Sequence, residues 1–277
     1  MWSFFNKFFY AGVKNKERVH GDNLIVGPDS PDPFEEIIWK KNLKKNYLST
    51  KNQFLSKKFS NKKLERSLKE NINKILYVRG NKQRYLSKGN YNITRIEYIL
   101  KLFPDAKIVI CIRKPTNQSI SLTKVHQRFL KLSKKNQYLK KQLSILGHYE
   151  FGQYRKAIYL DKKNYKNIID CWKREEDYNG YLFQWNSIYN LVLKKYLSNV
   201  KTSSNILLVD NDMVVNEPTK QIKNILNFCE LKYDKSLINK MCSLVSKKRS
   251  EIKQNLSYLK IENDNMKLYK KILSHFL

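Results

Sequence analysis

Cysteine, proline, glycine and acidic residues are scarce in this chain of 277 residues. It contains 4 Cys, 6 Pro and 8 Gly, and 24 acidic residues stand against 55 Lys and Arg. The cysteines show no Cys-x-x-Cys or Cys/His ligand spacing; they are Cys111, Cys171, Cys229 and Cys242. This spacing argues against a metal site and against a disulfide framework. We therefore expect no metal, and a reducing compartment such as the cytoplasm.

Long apolar runs are missing as well. No run approaches the roughly 18 residues that a membrane-spanning helix needs. The aromatic start, MWSFFNKFFY at residues 1–10, is too short and wrongly patterned for a signal peptide. It is typical of a core helix, or of an amphipathic helix that lies peripherally on a membrane. The sequence therefore predicts no transmembrane segment.

The net charge of +31 is the most unusual feature that is present. Such a charge favours polyanionic partners. It is spread along the whole chain, and the joint abundance of Lys and Asn is also what an A/T-rich genome produces. The length favours one large α/β domain, residues 1–277, over two domains.

The segment 84–128 carries the clearest pattern of secondary structure. It predicts a short strand over Arg84–Ser87, a loop with Lys88, a helix before Pro104 and a buried strand over Lys107–Ile112. Because Ile108–Ile112 is apolar on both faces, we expect an interior strand of a parallel sheet covered by helices. Cys111 is then a small core residue.

Arg113 stands where this strand ends, which is the usual ligand edge of an open α/β sheet. Its guanidinium suits a phosphate, and Ser121 follows about two helical turns later. The alternative is that Arg113 makes a structural ion pair and that Ser121 is an ordinary helix residue. These residues alone indicate an anion site only weakly.

The order and spacing of further residues resemble the nucleotide-binding half of the sulfotransferase family. That family uses 3′-phosphoadenosine 5′-phosphosulfate (PAPS) as the donor. The resemblance covers roughly forty residues and is softer elsewhere. The matching residues are Lys88, Asn92, Arg95, Ile96, Phe103, Pro104, Asp105, Ala106, Lys107, Arg113, Pro115 and Ser121.

The resemblance assigns roles to particular positions. Arg113 and Ser121 would bind the 3′-phosphate of PAPS, and Lys88 would lie near the transferred sulfuryl group. A basic segment falls where the family places further contacts to the 3′-phosphate, although a solvated basic run explains it equally; its residues are Lys247, Lys248 and Arg249. No metal is implied.

The resemblance implies that a general base for the acceptor hydroxyl lies near a Pro-x-Glu pattern, which this sequence has at residues 33–35. Glu35 is the preferred candidate, because members of the family often carry such a Glu close to the acceptor. His20 is the other candidate. Glu35 and Glu36 are also explained by the first turn of a helix that Phe34–Trp39 is predicted to open, because acids there favour the helix dipole.

Outside residues 84–128 the predictions are coarser. Ile75–Val78 is predicted as a short strand, Asn205–Asp212 as a second inner strand and Val214–Phe228 as a helix. Asp210 or Asp212 is expected to cap a helix or form an ion pair rather than to act as a catalyst. The region 130–165 is expected to be a variable insertion that shapes the acceptor site.

One departure from the family matters most. The family's first strand and its phosphate loop, Pro-x-Ser-Gly-Thr-Thr or a close variant, have no counterpart in residues 1–29. We therefore expect a three-layer, P-loop-NTPase-like, mostly parallel sheet flanked by helices that lacks its first strand. The domain is then N-terminally incomplete or degenerate, and activity requires that a longer chain supply the loop.

The expected function is transfer of a sulfuryl group from PAPS to a hydroxyl of a carbohydrate, lipid or small metabolite. One alternative is an inactive relic that still binds a nucleotide or an anionic glycan. A basic nucleic-acid-binding protein ranks last, because the sequence has no helix-turn-helix, RNA-recognition or zinc-finger signature. The partners expected are thus a nucleotide donor and a hydroxyl acceptor, and no nucleic acid.

Overall fold

The computed structural model describes residues 15–18, 20–21, 24–27, 35–48, 53–80, 84–135, 144–145, 147–198, 204–245 and 259–275. The chain divides into two compact units. The first unit comprises Met1–Tyr47, Lys62–Gly89 and Lys124–Lys156. The second comprises Leu48–Asn61, Asn90–Thr123 and Ala157–Leu277.

In the described residues before Gly89, the first unit contains a small antiparallel pair and two α-helices. Strands β1 (Lys16–Glu17) and β2 (Ile25–Val26) pair with each other. Helix α1 spans Glu35–Leu43 and α2 spans Lys62–Arg79. Helix α1 begins at its two acids, as predicted from the favourable dipole at a helix start.

The prediction of a strand at Ile75–Val78 is wrong, since these residues belong to α2. The apolar positions of α2 recur at helical spacing, with Leu64 and Leu68 buried on one face. Four consecutive apolar residues fit a helix as well as a strand. The 18-residue length of α2 decides for the helix.

The second unit is mostly helical around a parallel pair of strands. A 3₁₀ turn at Asn90–Thr94 precedes the regular elements. In chain order these are α3 (Ile96–Leu102), β3 (Ile108–Ile112), α4 (Pro115–Lys135, which passes into the first unit at Lys124), α5 (Lys162–Lys173), α6 (Asp177–Leu191), β4 (Ile206–Asp210), α7 (Asn211–Asn216), α8 (Pro218–Phe228), α9 (Lys235–Ser243) and α10 (Leu259–Leu273). A π-helical segment, Val192–Leu197, continues α6.

Strands β3 and β4 are parallel and in register from Ile108 opposite Ile206 to Ile112 opposite Asp210. Both inner strands were predicted; β3 is one residue shorter and β4 three residues shorter than predicted. The chain is therefore α/β, with mostly helices and a small parallel sheet that has two strands in the described residues. The three-layer arrangement remains a prediction.

One apolar cluster forms the centre of the second unit. It joins β3 and β4 to α6, its π-helical continuation and α10. Ile112, Val192, Tyr196 and Ile272 are fully buried in it. Burial of each such side chain contributes roughly 1.5–3 kcal/mol, so this cluster is the main stabilising feature of the unit.

The strand β3 is covered more completely on one face than on the other. Ile110 and Ile112 are buried, whereas Cys111 between them is exposed. The expectation that Cys111 is a core residue is therefore wrong. Successive residues of a strand point to opposite faces, so apolar character on both faces did not establish burial on both faces.

A buried amide holds α10 against α6. Asn265 is fully buried; its Nδ2 donates to Leu182 O at 2.9 Å, and its Oδ1 accepts from Asn186 Nδ2 at 2.7 Å. Because buried polar atoms are costly without partners, this pair of bonds fixes the register of the two helices.

None of the helices in the described ranges is long and apolar enough to cross a membrane.

Candidate functional site

The carboxyl ends of β3 and β4 form one edge of the parallel pair. Their register places Ile112 opposite Asp210, so Arg113 follows its strand at the same edge. Helix α4 then begins at Pro115, a residue whose fixed φ and missing N–H suit the first helical turn. This local order of apolar strand, Arg and Pro matches the predicted strand–loop–helix unit.

Helix α6 holds the backbone of this strand end. Trp185 Nε1 donates to Arg113 O at 3.1 Å, and Tyr189 OH donates to Cys111 O at 2.8 Å. The rings of Trp185 and Tyr189 lie 4.5 Å apart. Burial raises the pKa of Tyr189 far above its usual value, which keeps the phenol protonated as a donor. The main chain that carries Arg113 is thus tied down at two carbonyls.

The Arg113 side chain lacks a partner for one buried atom. Its Nε is buried without a hydrogen-bond acceptor in the described residues. A buried donor of this kind is costly when it stays unbonded, and a permanent positive charge favours an anion as the missing acceptor. The atom therefore fits a phosphate oxygen.

Two more buried polar atoms lie in the first turns of α4. These are Gln118 Oε1 and Ser119 Oγ, and neither has a hydrogen-bond partner in the described part of the chain. Ser121, the residue predicted to bind the phosphate, is half-buried in the same helix. The sequence reasoning missed Ser119, because only Ser121 stands at the spacing that the family resemblance singles out.

Asp210 at the end of β4 has a structural role. Its Oδ1 accepts from the backbone N–H of Met213 at 2.9 Å and caps α7, and its Oδ2 accepts from Tyr269 OH. Burial and the hydrogen bond to Asp210 raise the pKa of Tyr269 far above its usual value. The prediction of Asp210 as a cap is confirmed.

Glu35 in the first unit is held by the segment that carries Lys88. Its Oε1 accepts from Tyr85 OH, and its Oε2 accepts from Ser87 Oγ at 2.7 Å. Burial and Glu35 raise the pKa of Tyr85 far above its usual value, so the phenol remains a donor. Lys88, which follows Ser87, is exposed. The structure therefore brings the candidate base beside the segment of the candidate catalytic lysine.

The predicted strand over Arg84–Ser87 is wrong, because the segment pairs with no strand in the described ranges. Tyr85 and Ser87 are the functional candidates that sequence reasoning missed. Alternate residues of an extended segment point to the same side. That spacing is the signal by which a pair of donors to one carboxylate could have been found.

The remaining candidates are placed as follows. Arg113 and Ser121 belong to the second unit, whereas Lys88 and Glu35 belong to the first. His20 packs edge-on against Phe129, with ring centroids 5.4 Å apart. The basic residues Lys247, Lys248 and Arg249 lie outside the described residues.

A metal centre has no support from side-chain clustering. Within the described ranges, no group of three or more His, Cys, Asp or Glu side chains could hold a metal ion.

Comparison with known proteins gives one match. Residues 39–157 match the model of the sulfotransferase family. No curated protein and no solved structure matches the chain. The matched segment includes Lys88, Arg113 and Ser121, and Glu35 stands just before it. The family resemblance indicated by the sequence motifs is therefore confirmed by this match over residues 39–157.

Proposed function

We propose that the protein transfers a sulfuryl group from PAPS to a hydroxyl of a carbohydrate, a lipid or a small metabolite. The observation that carries this proposal is the buried, unbonded Nε of Arg113 at the carboxyl end of β3. It supports the proposal because a charged donor fixed at that edge lacks only an anionic acceptor. The family match over residues 39–157 supports sulfuryl transfer as the reaction.

The donor would be held by its phosphate. Arg113 supplies charge and a planar set of donors, and Ser121 supplies a hydroxyl from α4. Lys247, Lys248 and Arg249 would add further charge. PAPS itself supplies the activated sulfuryl group, and no metal is required. In this proposal the fold is the three-layer, P-loop-NTPase-like one in a single domain.

The transfer step needs a proton acceptor and a positive charge. Glu35 would accept the proton of the acceptor hydroxyl while the hydroxyl oxygen forms its bond to sulfur. Tyr85 and Ser87 would orient the Glu35 carboxylate through the two bonds that it accepts. Lys88 would offset the negative charge on the sulfuryl oxygens and on the departing oxygen.

Calorimetric titration with 3′-phosphoadenosine 5′-phosphate tests the donor site. Arg113→Ala and Ser121→Ala should each weaken binding roughly tenfold to a hundredfold, since a hydrogen bond to a charged group contributes about 1.5–3 kcal/mol. Arg66→Ala is the matched control, because Arg66 is an exposed residue of α2. Its affinity should equal that of the native chain.

The outcome separates the candidate functions. Equal affinity in the Arg113 and control variants would refute the donor site. Binding that depends on Arg113, together with an absence of sulfuryl transfer when PAPS and acceptors are supplied, would favour the non-catalytic nucleotide-binding relic.

A further inference from the structure

Tyr149 in the first unit is a buried tyrosine whose ring has two lysine side chains close by. It is 6% exposed. Lys156 Nζ lies 4.7 Å and Lys40 Nζ lies 5.4 Å from the centroid of its ring. Both distances are within the roughly 6 Å at which an ammonium group and an aromatic ring attract each other. Two positive charges thus converge on one phenol.

The hydroxyl end of Tyr149 meets further donors. Tyr149 Oη lies 3.2 Å from both Ser144 Oγ and Ser144 O, and Lys40 Nζ donates to the same carbonyl oxygen. An ammonium group has three donors, and a hydroxyl can also turn its proton elsewhere. Lys40, Lys156, Ser144 and Tyr149 together therefore present more donors than the described protein acceptors use.

The charge of this group is not neutralised by carboxylates. Neither Lys40 nor Lys156 forms an ion pair with an acid in the described ranges. Burial by itself would raise the pKa of Tyr149, but the hydrogen bond and charge of Lys40, aided by Lys156, hold that pKa below 10.0. The phenol therefore senses a net positive field.

Other ionisable and polar groups also stand on the neighbouring elements. Glu36 on α1 is buried, and its Cγ lies 3.0 Å from the position that a Cβ on Gly147 would occupy. The Glu150 carboxylate lies 3.8 Å from His148 Nδ1. The phenol of Tyr47 contacts Gly147 O at 3.2 Å. None of these groups is among the causes that lower or raise the pKa of Tyr149.

The geometry points to an anion-binding site, formed by Lys40, Lys156 and Tyr149, that holds a carboxylate or sulfate ester of the acceptor. This inference rests on the proposed function, and it names the acceptor class as acidic sugars or acidic metabolites. Lys40 lies five residues after Glu35 in α1, which is about 7.5 Å along the helix axis. The proposed anion site and the proposed base therefore share one helix of the first unit.

The phenol of Tyr149 provides a direct reporter of anion binding. The near-ultraviolet absorbance of tyrosinate is measured against pH for the native chain and for Tyr149→Phe. The difference between the two curves gives the ionisation of Tyr149. We expect a midpoint below 10.0. Glucuronate, exchanged for chloride at constant ionic strength, should raise this midpoint because a bound anion offsets the ammonium charges. Glucose, its neutral counterpart, should leave it unchanged.

Lysine variants locate the site. Lys40→Gln should weaken glucuronate binding about tenfold, since it removes a half-buried charged donor. Lys156 is more exposed, so Lys156→Gln should weaken binding only about twofold to fivefold. Lys69→Gln, at an exposed position of α2, is the control and should bind as the native chain does.

Three results would overturn the inference. The first is a Tyr149 midpoint that no anion moves, and the second is an equal response to glucose. The third is a response to inorganic sulfate but not to glucuronate, which would show that Lys40, Lys156 and Tyr149 bind free inorganic anions rather than an acidic acceptor. The titration contains no nucleotide, so failure of the donor site at Arg113 is detected separately by calorimetry.

Discussion

Replacing Tyr269 by phenylalanine removes one hydrogen bond to a buried carboxylate and leaves the ring in place. Tyr269 is 4% exposed and Asp210, its acceptor, is 2% exposed. A hydrogen bond to a charged group contributes about 1.5–3 kcal/mol. We expect the free energy of unfolding to fall by about that amount near neutral pH.

The stabilisation by Tyr269 should decrease as the pH rises. Burial and Asp210 raise the pKa of Tyr269 above 10.0 in the folded state. Above that pH the unfolded chain binds fewer protons than the folded chain, so the stabilisation by Tyr269 is present below pH 10 and is lost as pH rises. From pH 7 to 11 the loss is about 1.4 kcal/mol, nearly all of it above pH 9. The difference between native chain and variant should shrink accordingly.

Urea unfolding followed by circular dichroism at about pH 7 and about pH 11 measures both quantities. Other tyrosines with raised pKa values, Tyr178, Tyr189 and Tyr196, are common to both proteins and cancel in the difference. Tyr77→Phe is the control, because Tyr77 is 80% exposed and should change stability by no more than about 0.5 kcal/mol. A difference for Tyr269→Phe that is equal at both pH values would refute the reasoning.

Three further predictions concern Tyr85, Asn265 and Cys171. Tyr85→Phe removes a donor to Glu35 and should lower turnover about tenfold while leaving nucleotide affinity unchanged; an unaltered rate in a sulfuryl-transfer assay would contradict it. Asn265→Leu should cost about 2–5 kcal/mol in chemical denaturation, because two buried bonds are lost. Burial, with Glu176, raises the pKa of Cys171 from 9.0 to about 11. Its alkylation in the folded chain should therefore stay slow until pH approaches that value, and fast labelling at neutral pH would argue against burial.

The strand–Arg–Pro unit could be predicted from sequence because its determinants are local. An apolar run of five residues, a stop at Arg113 and a proline suited to a helix start define β3 and the beginning of α4. The capping role of Asp210 could be predicted for the same reason. Local chemistry leaves few alternatives at such positions.

The missed features depend on contacts between residues distant in sequence. Whether Ile75–Val78 is strand or helix depends on the neighbours that α2 meets, and short apolar runs do not resolve it. The bonds from Tyr85 and Ser87 to Glu35 join residues about fifty positions apart. The lysines around Tyr149 are likewise distant from each other, so no spacing in the sequence indicates them.

The two bonds that Asp210 accepts have a consequence for ligand selectivity at the strand edge. This carboxylate lies in register with the last residue before Arg113, yet its oxygens are occupied by Tyr269 and by the start of α7. An acid restrained in this way is less able to swing towards the guanidinium and compete with an incoming phosphate. The proposed donor site at this edge should therefore prefer phosphorylated nucleotides to uncharged nucleosides, and this preference should weaken as salt screens the guanidinium.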